Sequence, residues 1–276
     1  MRIETTIAGL RAARRELKSS LGLVPTMGAL HEGHLSLVRA AKASCDAVAV
    51  SIFVNPTQFA PNEDFSKYPR TFERDCALLE SEGVDLLFAP GPEEMYPPGA
   101  TTRINVGSVG DRLDGASRPG HFLGVATIVA KLFHVFAPQR AFFGQKDAVQ
   151  VAVLRQMVRD LDFDLELVVG PIVRDADGLA LSSRNQYLSV EERKQALVLS
   201  RALAAGARMY EAGDPDSSAI IGAAAAVMAS EPTVRLDYLA LVDRDTLLPV
   251  ETAATGTMLA VAAIVGTTRL IDNVIL

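Results

Sequence analysis

Tryptophan is absent from this chain of 276 residues, cysteine occurs twice and histidine four times. Cys45 and Cys76 form no CxxC pair and keep no His/Cys spacing of a zinc site, so the two thiols are expected to be free and buried. No apolar run approaches the ~20 residues of a membrane span. The start, Met1-Arg2-Ile3-Glu4-Thr5, lacks the apolar core of a signal peptide, so the expectation is a cytoplasmic protein with no membrane partner. Lys and Arg number 27 against 33 Asp and Glu, a net charge of −6 that argues against a nucleic-acid partner. Also missing are a GxxxxGK[ST] loop, a GxGxxG at a strand-to-helix turn and a GxSxG elbow, so any bound nucleotide must be held by other groups. What remains is globular composition, 49% hydrophobic and 22% charged, enough for one large or two moderate domains.

The most informative stretch is Pro25-Thr26-Met27-Gly28-Ala29-Leu30-His31-Glu32-Gly33-His34-Leu35. An apolar run, Leu21 to Val24, precedes it as a buried strand, and Leu35 to Ala43 follows as an amphipathic helix. Two imidazoles thus stand where a strand hands over to a helix N-terminus, a position whose backbone N–H groups and dipole favour an anion. Gly28 and Gly33 would let the backbone approach a phosphate closely. The competing readings are one structural and one solvated histidine, or zinc. HEGH is one residue short of HExxH, however, and no third ligand is evident nearby.

Along the chain, residues 3–18 read as a strand-to-helix opening, with Ile7, Leu10, Ala13 and Leu17 on one helix face. After the histidine hinge come a strand over Asp46–Val54, a helix over 71–82 and a strand over Val84–Phe88. This βαβαβ alternation predicts a parallel sheet. Asn55 and Gln58 fall just past a strand's carboxyl end, where open α/β sheets bind ligands, although Asn55-Pro56 also suits a turn. Residues 89–118, dense in Gly and Pro, read as an excursion with a strand near Arg103–Val106 and as a mobile cover over the site. Arg118 and His121 open an apolar helix reaching Phe136, Arg118 placed to meet an anion and His134 placed to complement the helix's far end.

A second cluster, Arg140 to Asp147, is again a strand breaking at a glycine, Gly144, into a helix. Asp147 and Gln150 there fit a capping box. Lys146 fits stability less well, since a cation at a helix N-terminus costs ~0.3–1 kcal/mol unless an anion is bound. After the strand 165–169, the polar run Val173–Asn185 ends in Ser182-Ser183-Arg184, hydroxyls plus a guanidinium fork suited to phosphate. From Ser189 the chain reads as two helices, to Ala212 and to Ser230, then strands over 234–242, 257–265 and 270–276. The expected domains are 1–177 and 178–276, the second built of helices and an antiparallel sheet and closing over the site. The fold class is therefore α/β, a doubly wound parallel sheet domain with a smaller C-terminal α+β domain.

PTMGALHEGHL, FVNPTQF, RPGHF, FGQKD and DGLALSSRN, in this order, resemble the pantoate:β-alanine ligases of the HxGH nucleotidyltransferase superfamily over nearly the whole chain. The resemblance implies a Rossmann-like N-terminal domain with a smaller C-terminal domain, in a homodimer that joins pantoate to β-alanine with ATP and Mg²⁺, through pantoyl adenylate, releasing AMP and pyrophosphate. It makes His31, His34, Lys146 and Arg184 catalytic and adds Met27, Gly144, Gln145, Asp147, Val173, Leu181, Ser182 and Ser183 to the ATP site. It assigns Gln58, Gln150 and Asn55 to pantoate and Asp75 to Mg²⁺. Leu181 stands where the family more often has Met, a volume-conserving change. HxGH alone fits equally a nucleotidyltransferase acting on another small substrate, and a silent nucleotide-binding module is the third alternative.

Overall fold

The computed structural model describes residues 1–17, 20–61 and 63–276. The elements in chain order are β1 (Arg2–Glu4), α1 (Ile7–Glu16), β2 (Leu21–Thr26), α2 (Glu32–Ser44), β3 (Ala47–Ile52), α3 (Phe72–Ser81), β4 (Leu86–Phe88), α4 (Pro92–Met95), α5 (Asp114–Ser117), α6 (His121–Phe136), β5 (Arg140–Gly144), α7 (Ala148–Asp160) and β6 (Glu166–Gly170). They continue with α8 (Val190–Glu211), α9 (Ser217–Met228), β7 (Arg235–Asp243), β8 (Thr257–Val265) and β9 (Thr268–Ile275). The expected opening helix extends to residue 18, which lies outside the described residues.

The first six strands form one parallel sheet in the order β1-β4-β3-β2-β5-β6. β2 and β3 are buried over nearly their whole length, which is why they read as continuous apolar runs rather than alternating ones. From β2 the chain steps to β3 on one side, and β5 pairs on the other. The strand order reverses there, which opens a crevice outside the carboxyl ends of β2 and β5. α6 is buried along most of its length, and its core residues join those of β2, β5 and α7. Its Gly124 lies so close to the turn after β3 that a Cβ would run into the Thr57 carbonyl.

The last three strands form an antiparallel sheet, β7-β8-β9. β8 shows its two-residue period plainly. Leu259, Val261, Ala263 and Val265 pack with α8 and α9, whereas Met258 and Ala260 join the core of the parallel sheet. α8 starts at the predicted Ser189–Glu192 capping box, and α9 at Asp216, whose carboxylate accepts from Ala219 N–H. The observed fold is the expected class, a Rossmann-like parallel sheet unit with a smaller C-terminal α+β unit.

Three local expectations fail. Residues 103–106 form no strand, because the Ile104 N–H donates to the Thr127 hydroxyl at 2.9 Å instead of to a ladder. Cys45 and Cys76 are free but only half-buried. Of the excursion 89–118, only Asp114, Ser117 and Arg118 line a cavity of the site, so its earlier part covers nothing there. Among the described residues no helix is long and apolar enough to cross a membrane.

Candidate active site

The turn after β2 is built on left-handed backbone at Gly28 (φ 81°) and Ala29 (φ 49°). This geometry turns the N–H groups of Ala29 and Leu30 onto the Asp75 carboxylate, at 2.8 and 2.9 Å, and the Thr71 hydroxyl donates to it at 3.0 Å. Asp75 is 0% exposed, so its oxygens are committed to the protein and face no ligand. The metal assignment is thereby replaced: Asp75 on α3 is the brace of the histidine turn. Among the described residues, no group of three or more His, Cys, Asp or Glu is placed to hold a metal ion by itself.

The His31 ring folds over Gly33, where a Cβ would lie 3.0 Å from the ring's Cε1 and Nδ1. The His31 and His34 rings lie 4.1 Å apart at 36°. His34 Nδ1 accepts from the His31 N–H at 3.3 Å, which leaves Nε2 as the N–H that can donate to a ligand. Burial, reinforced by Lys146, pushes the His31 pKa down to about 4; burial and the neighbouring His31 push His34 down to about 3. Both rings are thus neutral donors at pH 7, and His31 Nδ1 is buried without a partner.

The turn after β5 presents Lys146, whose Nζ lies 3.4 Å from Asp147 Oδ1. Burial opposes ionisation of Asp147, but the adjacent ammonium holds its carboxyl below the usual range. The expected capping box is absent: Asp147 occupies the N-cap of α7 yet makes no side-chain cap hydrogen bond, its oxygen being turned toward Lys146. Gln145 is turned away from the crevice, toward the second sheet.

Ser182 caps the short turn Ser183–Tyr187 by accepting from the Arg184 N–H at 3.2 Å, and the Ser183 and Tyr68 hydroxyls lie 3.2 Å apart. Arg184 forks onto Asp64 at 3.0 and 2.9 Å. Arg118, expected to meet a ligand anion, instead meets Glu63 at 2.6 and 2.7 Å and donates to His121 Nε2 at 2.9 Å. His121 Nδ1 in turn donates to the Gln58 carbonyl at 2.7 Å, and burial, with the adjacent Arg118, keeps this ring neutral down to about 4. Sequence reasoning missed Glu63, Asp64 and Tyr68. No local pattern marks them, because their partners lie 55 to 120 positions away.

Gln58 donates to the Met27 sulfur at 3.0 Å and accepts from Asn55 Nδ2 at 3.1 Å. Asn55 is itself saturated, donating to the Gly124 carbonyl at 3.2 Å and accepting from Thr57 and from the Tyr96 hydroxyl at 2.8 Å. It therefore braces Gln58 and has nothing left for a substrate, which corrects its expected role. Gln150, on the first turn of α7, is half-buried at the cavity wall.

These pieces meet. Every residue expected in the site except Gln145 and Asp75 lines one cavity of about 210 Å³. Lys146, Asp147, Gln150, Ser182 and Arg184 also line a wider cleft of about 690 Å³, walled on its far side by β9. The result is a crevice of neutral imidazole donors, an ammonium and guanidinium groups already paired with carboxylates, which is chemistry suited to a polyanion.

A family model described as Pantoate-beta-alanine ligase matches residues 2–275. The chain belongs to that family. Its relatives include the pantothenate synthetase of Acidobacterium capsulatum, 65% identical over all of this chain and 97% of that one, and that of Koribacter versatilis, 56% identical over all of this chain and 96% of that one. A crystal structure of the pantothenate synthetase from Thermus thermophilus superposes with a TM-score of 0.96 at 52% identity, over 99% of both chains. The pantoate-β-alanine ligase of Francisella tularensis, complexed with beta-gamma ATP and β-alanine, superposes at 0.81 with 34% identity, over 100% of this chain and 97% of that one. The protein is accordingly an enzyme, a ligase of the pantothenate synthetase family.

Proposed function

We propose that this ligase condenses pantoate with β-alanine through pantoyl adenylate, consuming ATP and releasing pyrophosphate and then AMP. The observation that carries this reading is the convergence of His31, His34, Lys146 and Arg184 on one cavity beside Gln58 and Gln150. The ATP and β-alanine held by the Francisella tularensis relative support it. In the first step a pantoate carboxylate oxygen attacks the α-phosphorus, forming the acyl–O–P bond as the bond to pyrophosphate breaks. Both reactants are anionic, so the protein's task is to position them and to neutralise charge. Lys146 faces the α-phosphate, Arg184 exchanges Asp64 for departing phosphate, and His34 Nε2–H donates to a phosphate oxygen. Gln58 and Gln150 orient pantoate, while Ser182, Ser183, Gly144, Val173 and Leu181 line the nucleotide.

In the second step the neutral amine of β-alanine forms the C–N bond, the acyl–O bond to AMP breaks, and the amine's proton passes to the departing phosphate of AMP. Residues from 178 onward carry the Ser182–Arg184 wall and form the unit that closes over the adenylate against water. Mg²⁺ in this reading enters on the phosphates of ATP, as part of the substrate. The protein is taken as a cytoplasmic homodimer, which light scattering of the purified enzyme tests. The reaction is tested by single-turnover pyrophosphate release. Pantoate and ATP alone should release pyrophosphate, with AMP appearing only when β-alanine is added. A stable nucleotidyl product indifferent to the amine would replace this reading with a nucleotidyltransferase.

A further inference from the structure

The Lys146 turn is not secured by its own helix, since Asp147 provides no cap. It is secured by a residue 127 positions away in sequence, Asn273 on β9. Asn273 is 3% exposed. Its Nδ2 donates to the carbonyls of Gln145 and Lys146, at 3.0 and 3.1 Å, and its Oδ1 accepts from Gln145 Nε2 at 2.9 Å. Both amide hydrogens and the carbonyl are thus spent on one turn. The residue before it, Asp272, forks onto Arg174 at 2.6 and 2.9 Å, and Arg174 also donates to the Gly178 carbonyl at 3.1 Å. That arginine belongs to the bend 173–181, closed by Leu181 N–H donating to the Val173 carbonyl at 3.0 Å, which delivers Ser182 to the site. Two consecutive residues of β9 therefore fix the separation between the ammonium and the Ser182–Arg184 wall, although neither carries charge to the substrate.

We infer that Asn273 is a positioning residue for Lys146, setting where the ammonium stands against the reacting phosphate. The alternative, a buried amide that only satisfies its neighbours, predicts lost stability with unchanged turnover per folded molecule. The inference rests on the role proposed for Lys146, and the experiment separates the two. Single-turnover adenylate formation and steady-state kinetics are measured for Asn273→Ala, Lys146→Ala and the double variant, with the folded fraction set by thermal melts.

Displacing a reacting group by ~1 Å costs about 100-fold, so Asn273→Ala should lower kcat by about 10- to 100-fold, with the pantoate KM changed less than about threefold. In the Lys146→Ala background the same change should cost less than about twofold, because the group it positions is gone. Asn273→Ser, which keeps one hydroxyl donor, should recover part of the loss, and it serves as the test variant if the alanine does not fold. Wild-type kcat in the folded variants, or a full loss repeated in the Lys146→Ala background, would overturn the inference. Wild-type turnover by Lys146→Ala would overturn the role of the lysine itself, and the positioning role with it.

Discussion

The turn after β2 is braced from inside the parallel sheet's own unit, by the buried carboxylate of Asp75 on α3, whereas the turn after β5 is braced from the antiparallel sheet, by Asn273. The first carries two neutral imidazoles and needs left-handed backbone to present them; the second carries an ammonium and uses extended backbone at Gly144. The neutral pair is thus braced within the parallel sheet's own unit, whereas the charged group is tied by hydrogen bonds to β9. A site divided this way keeps its hydrogen-bond donors fixed while its main positive charge depends on how the two sheets meet.

That contrast can be attacked first at the charged turn. Lys146→Ala should slow pyrophosphate release by roughly 1,000-fold, the scale of a lost preorganised charge, while leaving the melting temperature near the parent's. Near-normal single-turnover formation of pantoyl adenylate would refute the assignment. At the other turn, Asp75→Ala strands two buried N–H groups and should cost on the order of 2–5 kcal/mol in denaturant unfolding. If stability holds while activity vanishes, Asp75 has a chemical role after all.

His34→Ala should then lower kcat by about 10- to 100-fold with a smaller loss of ATP affinity. Equal losses in the two would make the ring a binding group alone. The buried rings also predict a pH dependence. His31, His34 and His121 have pKa values lowered from 6.5 to about 4, 3 and 4, so as pH falls below 6.5 the unfolded chain binds protons that the folded chain refuses. Stability is therefore full above pH 6.5 and declines toward pH 4. The loss should be on the order of 5 kcal/mol between about pH 7 and about pH 5 in urea titrations, and smaller in His34→Gln. Smallest of all, Leu181→Met conserves volume and should shift the ATP KM by less than about twofold.

The parts legible in the sequence are those whose physics is local. The apolar run into β2, the glycines around HEGH, the break at Gly144 and the Ser189–Glu192 box each state a conformation within a few residues. The parts that were not legible depend on partners brought together only by folding. Asp75 has the composition of a metal ligand, and only the position of the Ala29 and Leu30 N–H groups reveals it as a brace. Asn55 suits both a turn and a substrate contact, and Tyr96, from 41 positions on, shows that its carbonyl is already taken. The strand expected near residue 104 had suitable residues, but the Thr127 hydroxyl took the Ile104 N–H.

Gly124 gives the Gln58 end of the crevice its dimensions. Because a bare helical backbone there meets the Thr57 carbonyl and receives Asn55 Nδ2, the shelf that carries Gln58 is gauged against α6 with no side chain in between. A single added methyl would run into the Thr57 carbonyl and displace that shelf, so the breadth of the cavity at this end is written into the spine of the same helix whose Val125 and Ile128 line it.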